Sequence, residues 1–261
     1  MVYAALQSVR NGTLIDAGEF VGLANYAEVL TDPGFWNAAR FTLLFTVVGV
    51  FGSWAVGLGI ALLLRTHIVG GSVFKVLLLL PWVVPVVVSA TSWNWLVATP
   101  QSPFPVLAEA LGLGSVNFLA DPTLAQVTVC VFKVWISFPF MMMMMSAALA
   151  SVDRNVYEAA KVDGAGRRQE FSYITLPLIS RSTYISWILM TIFCVNDFPT
   201  VFLLTGGGPN NATMSLIVLA YRTVFENFDT GTGVAIAYLM TLVLIGVSVV
   251  LYRQIRKVNV T

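Results

Sequence analysis

Two ionisable side chains stand inside otherwise apolar stretches, Lys133 in Leu124–Ala150 and Asp197, next to Asn196, in Tyr173–Leu204. Charges within hydrocarbon are costly and face protein or a watery cavity, so such groups are candidates for an ion pair, a proton or ion site, or the border of a polar pathway. Lys133 lies about nine residues, and Asp197 about eight, from the same end of their segments. At a rise of about 1.5 Å per residue they reach similar depths, and a buried carboxylate wants a partner. Lys133, Asn196 and Asp197 are therefore the candidate translocation-path residues. The ordinary alternative for a lone membrane lysine is to snorkel toward the headgroups.

A second constellation is Ser151 to Pro177, which holds four of the thirteen acids and four of the fourteen Lys/Arg residues. Asp153 is placed to accept the free N–H groups of a helix running from Arg154 to about Val162. Asp163-Gly164 then stops it, glycine taking the left-handed conformation freely. An amphipathic run starts at Arg167 and enters the next apolar segment, with a bend expected at Pro177. Small Ala159 and Ala160 permit close approach by another protein, whereas a plain solvated loop would need none of this order.

Other chemistries lack their residues. His67 is the single histidine, so zinc and haem sites have no ligand set. Cys130 and Cys194 lie in apolar segments and read as small buried hydrophobes. Met141 to Met145 point all around a helix and suit flexible packing better than a copper face. No G-x-x-x-x-G-K-[ST] phosphate loop is present, so any ATP must be bound by another chain.

The elements that must position these residues are membrane helices. Hydrophobic residues make up 57% of the 261, charged ones 10%, and mean hydropathy is +0.83, outside the range of soluble domains. With a net charge of +1 and basic residues confined to short loops, there is no footprint for nucleic acid. A span needs about twenty apolar residues. Five segments qualify: Phe41–Leu64, Val76–Ala98, Leu124–Ala150, Tyr173–Leu204 and Val234–Tyr252. The expected fold class is an all-α polytopic membrane protein, with a transmembrane domain over 41–252, external loops 99–123 and 205–233, an intracellular loop 151–172 and a basic tail 253–261. Residues 1–40 hold a short apolar run, VYAALQS, and an external amphipathic segment, Phe20–Arg40, broken at Asp32-Pro33-Gly34. Met1 to Gly12 has neither a basic n-region nor a cleavage site and does not read as a signal peptide.

Ten basic residues fall in or beside one set of connections and three, Arg10, Arg40 and Arg222, in the other. The ten mark the cytoplasm and place the C-terminus there. Pro81 and Pro85 flank Trp82-Val83-Val84 in the second segment, reading equally as a packing kink or as a wall of the pathway. Trp36, Trp93 and Trp95 suit interfacial anchors. Thr205-Gly-Gly-Gly-Pro209 forms a turn, followed by an external or re-entrant helix from Met214 to Phe228 that ends at Asp229-Thr230-Gly231.

The spacing Glu158-Ala159-Ala160, three residues, Gly164, nine residues, Ile174, any residue, Leu176-Pro177 resembles the signature loop of the membrane subunits of binding-protein-dependent ABC importers. The T-G-G-G-P pattern and the segment before Phe41 are similar to carbohydrate permeases, of the larger maltose or glycerol-phosphate type. The resemblance implies a type I importer permease fold and a non-enzymatic transport subunit of a prokaryotic cytoplasmic membrane. It implies ATPase coupling through Glu158, Ala159, Ala160, Asp163 and Gly164. It further implies a second permease subunit, two cytoplasmic ATP-binding subunits holding ATP and magnesium, an external solute-binding protein and a sugar cargo. Such subunits usually carry one more N-terminal helix, of which VYAALQS looks like the outer end, and five spans then read as a six-span design whose first helix is mostly absent. Two other classes compete: an ion-coupled secondary transporter using Lys133 and Asp197, and a nontransporting membrane scaffold.

Overall fold

The computed structural model describes residues 2–16, 18–65 and 71–258; His67 and the last three tail positions lie outside them. Apart from one antiparallel backbone bridge, Arg10 to Phe20, the described regular structure is helical: α1 (Val2–Ser8), α2 (Ala24–Thr31), α3 (Pro33–Leu63), α4 (Gly71–Val83), α5 (Val86–Val97), α6 (Pro103–Ala110), α7 (Pro122–Ala150), α8 (Arg154–Val162), α9 (Arg167–Gln169), α10 (Leu176–Val195), α11 (Phe198–Leu204), α12 (Leu216–Phe225) and α13 (Thr230–Val258). Four rods among the described residues are long and apolar enough to cross a membrane: α3, α7, Arg167–Val195 and α13.

The core is the contact of α3 with α7, made close by small residues. A Cβ added at Gly49 would lie 3.1 Å from Lys133 Cγ, at Gly52 2.7 Å from Val134 Cγ2, and at Gly57 2.6 Å from the Met142 backbone nitrogen. Both helices thus rise together, side by side, with glycine where the backbones approach. The methionine run wraps as expected, Met141, Met142 and Met145 being buried and Met143 exposed. Helix α10 closes the group from the opposite direction, Cys194 meeting Gly49 and Thr183 meeting Met145.

Several boundaries differ from those expected. The first span starts at Pro33, because Asp32 accepts from the N–H groups of Gly34 and Phe35 and Pro33 fits the first helical turn. The second segment is not one rod: Val73–Val83 and Val86–Val97 meet at 91°. Pro85 lacks an N–H and drives Val84 out of helical conformation. The fourth span ends at Val195, nine residues short of Leu204, since Asp197 caps a new helix. Asp229 begins α13, accepting from Thr232 N at 3.0 Å; the helix it was expected to help end stops at Phe225. The tail continues α13 as far as Val258.

Candidate functional site

The projection between the spans α7 and α10 forms as its residues dictate. Asp153 accepts from Asn155 N at 2.9 Å and opens α8. At the other end Ala165 N donates to Ala160 O at 2.9 Å and Gly164 N to Lys161 O at 3.1 Å, with Gly164 at φ +80°. This is a Schellman closure, which requires a left-handed residue at that point. The chain re-enters the membrane through a π-helical stretch, Glu170–Thr175, ahead of Pro177. A wider turn relieves the clash of the proline ring with the preceding turn, and it replaces the simple bend expected there.

A single aromatic holds α8 to the rest. Tyr157 is buried, its hydroxyl 3.4 Å from Thr175 Oγ1, and the guanidinium of Arg65, just beyond α3, lies 4.4 Å from its ring centroid. Glu158, Ala159, Asp163 and Gly164 are exposed and Ala160 is half-buried. Apolar Val162 is 88% exposed. A cleft of about 1030 Å³ opens between α8, the end of α3 and the π-helical stretch, bordered by Arg65, Tyr157, Glu158, Lys161 and Glu170. Tyr157 was not singled out in the sequence, although an aromatic beside E-A-A in a charged helix is a signal for an anchor.

Toward the opposite end, Lys133 Nζ lies 2.7 Å from Asp197 Oδ2, with side chains 6% and 10% exposed. Asp197 sits in the break between α10 and α11 and accepts from Thr200 N at 3.1 Å and Thr200 Oγ1 at 2.8 Å. Each carboxylate oxygen therefore has a donor, the condition under which a buried pair persists. The Phe45 ring lies 5.8 Å from the ammonium. Asn196 does not join the group; it is exposed and donates to Ile192 O. Thr200 and Gly49 belong to the site but were invisible in sequence, one being a common cap partner and the other one glycine among twenty. Buried Cys130 and Cys194 are free thiols.

Beyond the pair, Thr205 and Thr213 share a 2.6 Å hydroxyl contact across the glycine loop, and Gln126 donates to Ala212 O. Asn94 donates to Leu204 O, tying α5 to the end of α11. Trp93 packs on Phe132 and Trp135, so it is a packing residue; Trp95 and Trp36 are exposed.

The sequence profile of the inner membrane components of binding-protein-dependent transport systems matches residues 49–259. The chain belongs to this family. The permease is 35% identical over 241 residues to the trehalose/maltose transport system permease protein MalF of Thermococcus litoralis, covering 92% of this chain and 81% of that protein. It is 32% identical to the sulfoquinovosyl glycerol transport system permease protein SmoG of Agrobacterium fabrum, with 91% and 77% covered. The structure of a bacterial ABC transporter involved in alginate import superposes with a TM-score of 0.85 at 18% identity, covering 98% of this permease and 88% of that chain. The two share their fold.

Proposed function

We propose that this permease is one membrane half of an ATP-driven carbohydrate importer in a prokaryotic cytoplasmic membrane, with its C-terminus in the cytoplasm. It pairs with a second permease subunit, two cytoplasmic ATP-binding subunits and an external solute-binding protein. ATP and magnesium are held by the ATP-binding subunits. The observation that carries this reading is α8, an exposed helix with one buried anchor, outward apolar Val162 and a cleft bearing charges of both signs. The relatives named for trehalose/maltose and sulfoquinovosyl glycerol transport support the cargo class.

In this mechanism, closure of the ATPases moves α8, and the Schellman turn at Gly164 passes the displacement to the rod Arg167–Val195. The attached spans tilt, the pathway opens toward the loaded binding protein, and hydrolysis returns it to face inward. Glu158 is free to pair with a basic residue of the ATPase surface. The pair Lys133–Asp197 fixes the α7/α11 junction on the outer side of the path. Coexpression with the neighbouring ATPase, permease and binding-protein subunits, followed by sugar uptake in vesicles, tests the reading. ATP-dependent uptake is expected, with Gly164→Asp and Glu158→Lys assembling yet losing the coupling of hydrolysis to uptake. Gradient-driven uptake that needs no ATPase, or normal uptake by both variants, would overturn it.

A further inference from the structure

A second pocket, about 300 Å³, lies at the inner ends of the helices and adjoins the cleft described above. Three cations from different elements converge on it: Arg65 just past α3, Lys75 on α4 and Arg154 at the start of α8. Among the described residues no carboxylate lines this pocket. The ion pairs among the described residues are Lys133–Asp197 and Arg222–Glu226, so none of the three cations belongs to one. The adjoining cleft, which shares Arg65 and Arg154, holds Glu158 and Glu170, and Asp153, between the lining residues Val152 and Arg154, has its carboxylate engaged by Asn155 as the cap of α8. The remaining wall is half-buried Ser146 and apolar side chains such as Leu64, Leu149 and Val152.

The general excess of basic residues on one membrane face needs only that charges be present, dispersed among loops. All three cations are exposed, so water screens part of their mutual repulsion, and an anion held between them would offset the rest and gain three attractive contacts. A pocket with a cationic rim, a hydroxyl and an apolar floor at the level where spans end fits a phosphate esterified to something apolar. We propose that this pocket binds the phosphate of an anionic phospholipid. The bound headgroup would bridge α4, the end of α3 and α8. Arg65 also stacks on the Tyr157 anchor, so an occupied pocket stiffens the seat of α8.

Native mass spectrometry of the full chain, delipidated in detergent and titrated with phosphatidylglycerol, phosphatidylcholine or inorganic phosphate, tests the site. Phosphatidylglycerol should bind the unsubstituted chain in preference to phosphatidylcholine. Each charge near an anionic lipid contributes roughly a factor of five, so K75Q/R154Q should weaken phosphatidylglycerol binding by about tenfold or more. S146D, which retains all three cations and adds a competing carboxylate, should give a similar loss, and R253Q, removing a basic residue outside the pocket, should give none. Binding of inorganic phosphate with the same variant pattern, and of no lipid, would keep the pocket as a phosphate site and assign it to the free ion. Equal phosphatidylglycerol binding by all variants, an equal loss in R253Q, or no preference over phosphatidylcholine would overturn the proposal.

Discussion

Lys133 of α7 and Asp197, in the break that separates α10 from α11, form an ion pair 2.7 Å long that is almost sealed from solvent. Because Thr200 supplies both a backbone N–H and a hydroxyl to the same carboxylate, one residue ends a span, caps the next helix and ties both to α7.

Removing either partner strands a buried charge, which costs about 3–5 kcal/mol where the pair is fully enclosed. Lys133→Met and Asp197→Asn should each lower the melting temperature and reduce uptake. The double substitution should destabilise by much less than the sum of the two, since no charge is left alone. Melting curves of the four proteins in one detergent measure the coupling. Additive shifts would mean that the pair does not couple the helices, and intact uptake by both single variants would remove it from the transport path.

Gly57 and Gly59 are two residues apart on α3 and should respond in opposite ways. At Gly57 a methyl group would meet the Met142 backbone nitrogen at 2.6 Å and Met141 Cβ at 2.7 Å; at Gly59 it would meet nothing within 4 Å. Gly57→Ala should destabilise by about 1–3 kcal/mol, because backbone of α7 must move. Gly59→Ala should be neutral or stabilise by up to about 1 kcal/mol through helix propensity. The same melting assay separates them, and matching shifts would contradict the α3/α7 packing.

Tyr157→Ala should loosen α8 without unfolding the spans, since the ring is its one buried residue. Limited proteolysis should cut the 151–166 region faster, and ATP-coupled uptake should fall. Tyr157→Phe keeps the ring under Arg65 and loses only a 3.4 Å hydroxyl contact, so it should stay close to unsubstituted protein in both assays.

The ends of α8 were legible in the sequence because they depend on local chemistry: a carboxylate at Asp153 and the left-handed freedom of Gly164. The ion pair was legible because depth along two rods follows from counting residues. The 91° break between α4 and α5 was not, because apolar composition is the same on both sides of Pro85 and does not say whether a proline bends a rod or ends it. The merged fourth segment had the same cause, apolar runs flanking Asn196-Asp197 and concealing a helix cap. Gly49 and Tyr157 depend on what lies across from them, which one strand of sequence does not contain.

A buried amide joins the backbone bridge of Arg10 with Phe20 in holding the N-terminal segment. Asn25 Nδ2 donates to Ser8 O and Arg10 O, both at 2.9 Å, and Tyr26 Oη donates to Ser8 Oγ at 2.8 Å. Gly231, in the first turn of α13, leaves room for Arg10 O to pack against it. Asn25→Ala would leave two acceptors poorly satisfied, which costs about 1–3 kcal/mol. The change should act locally, because α1 and the Arg10 turn depend on this contact whereas the α3/α7 core does not. Hydrogen exchange followed by mass spectrometry should show residues 2–12 exchanging roughly tenfold faster or more, with α7 unchanged. Acceleration spread over the spans would show instead that the N-terminal segment supports the whole bundle.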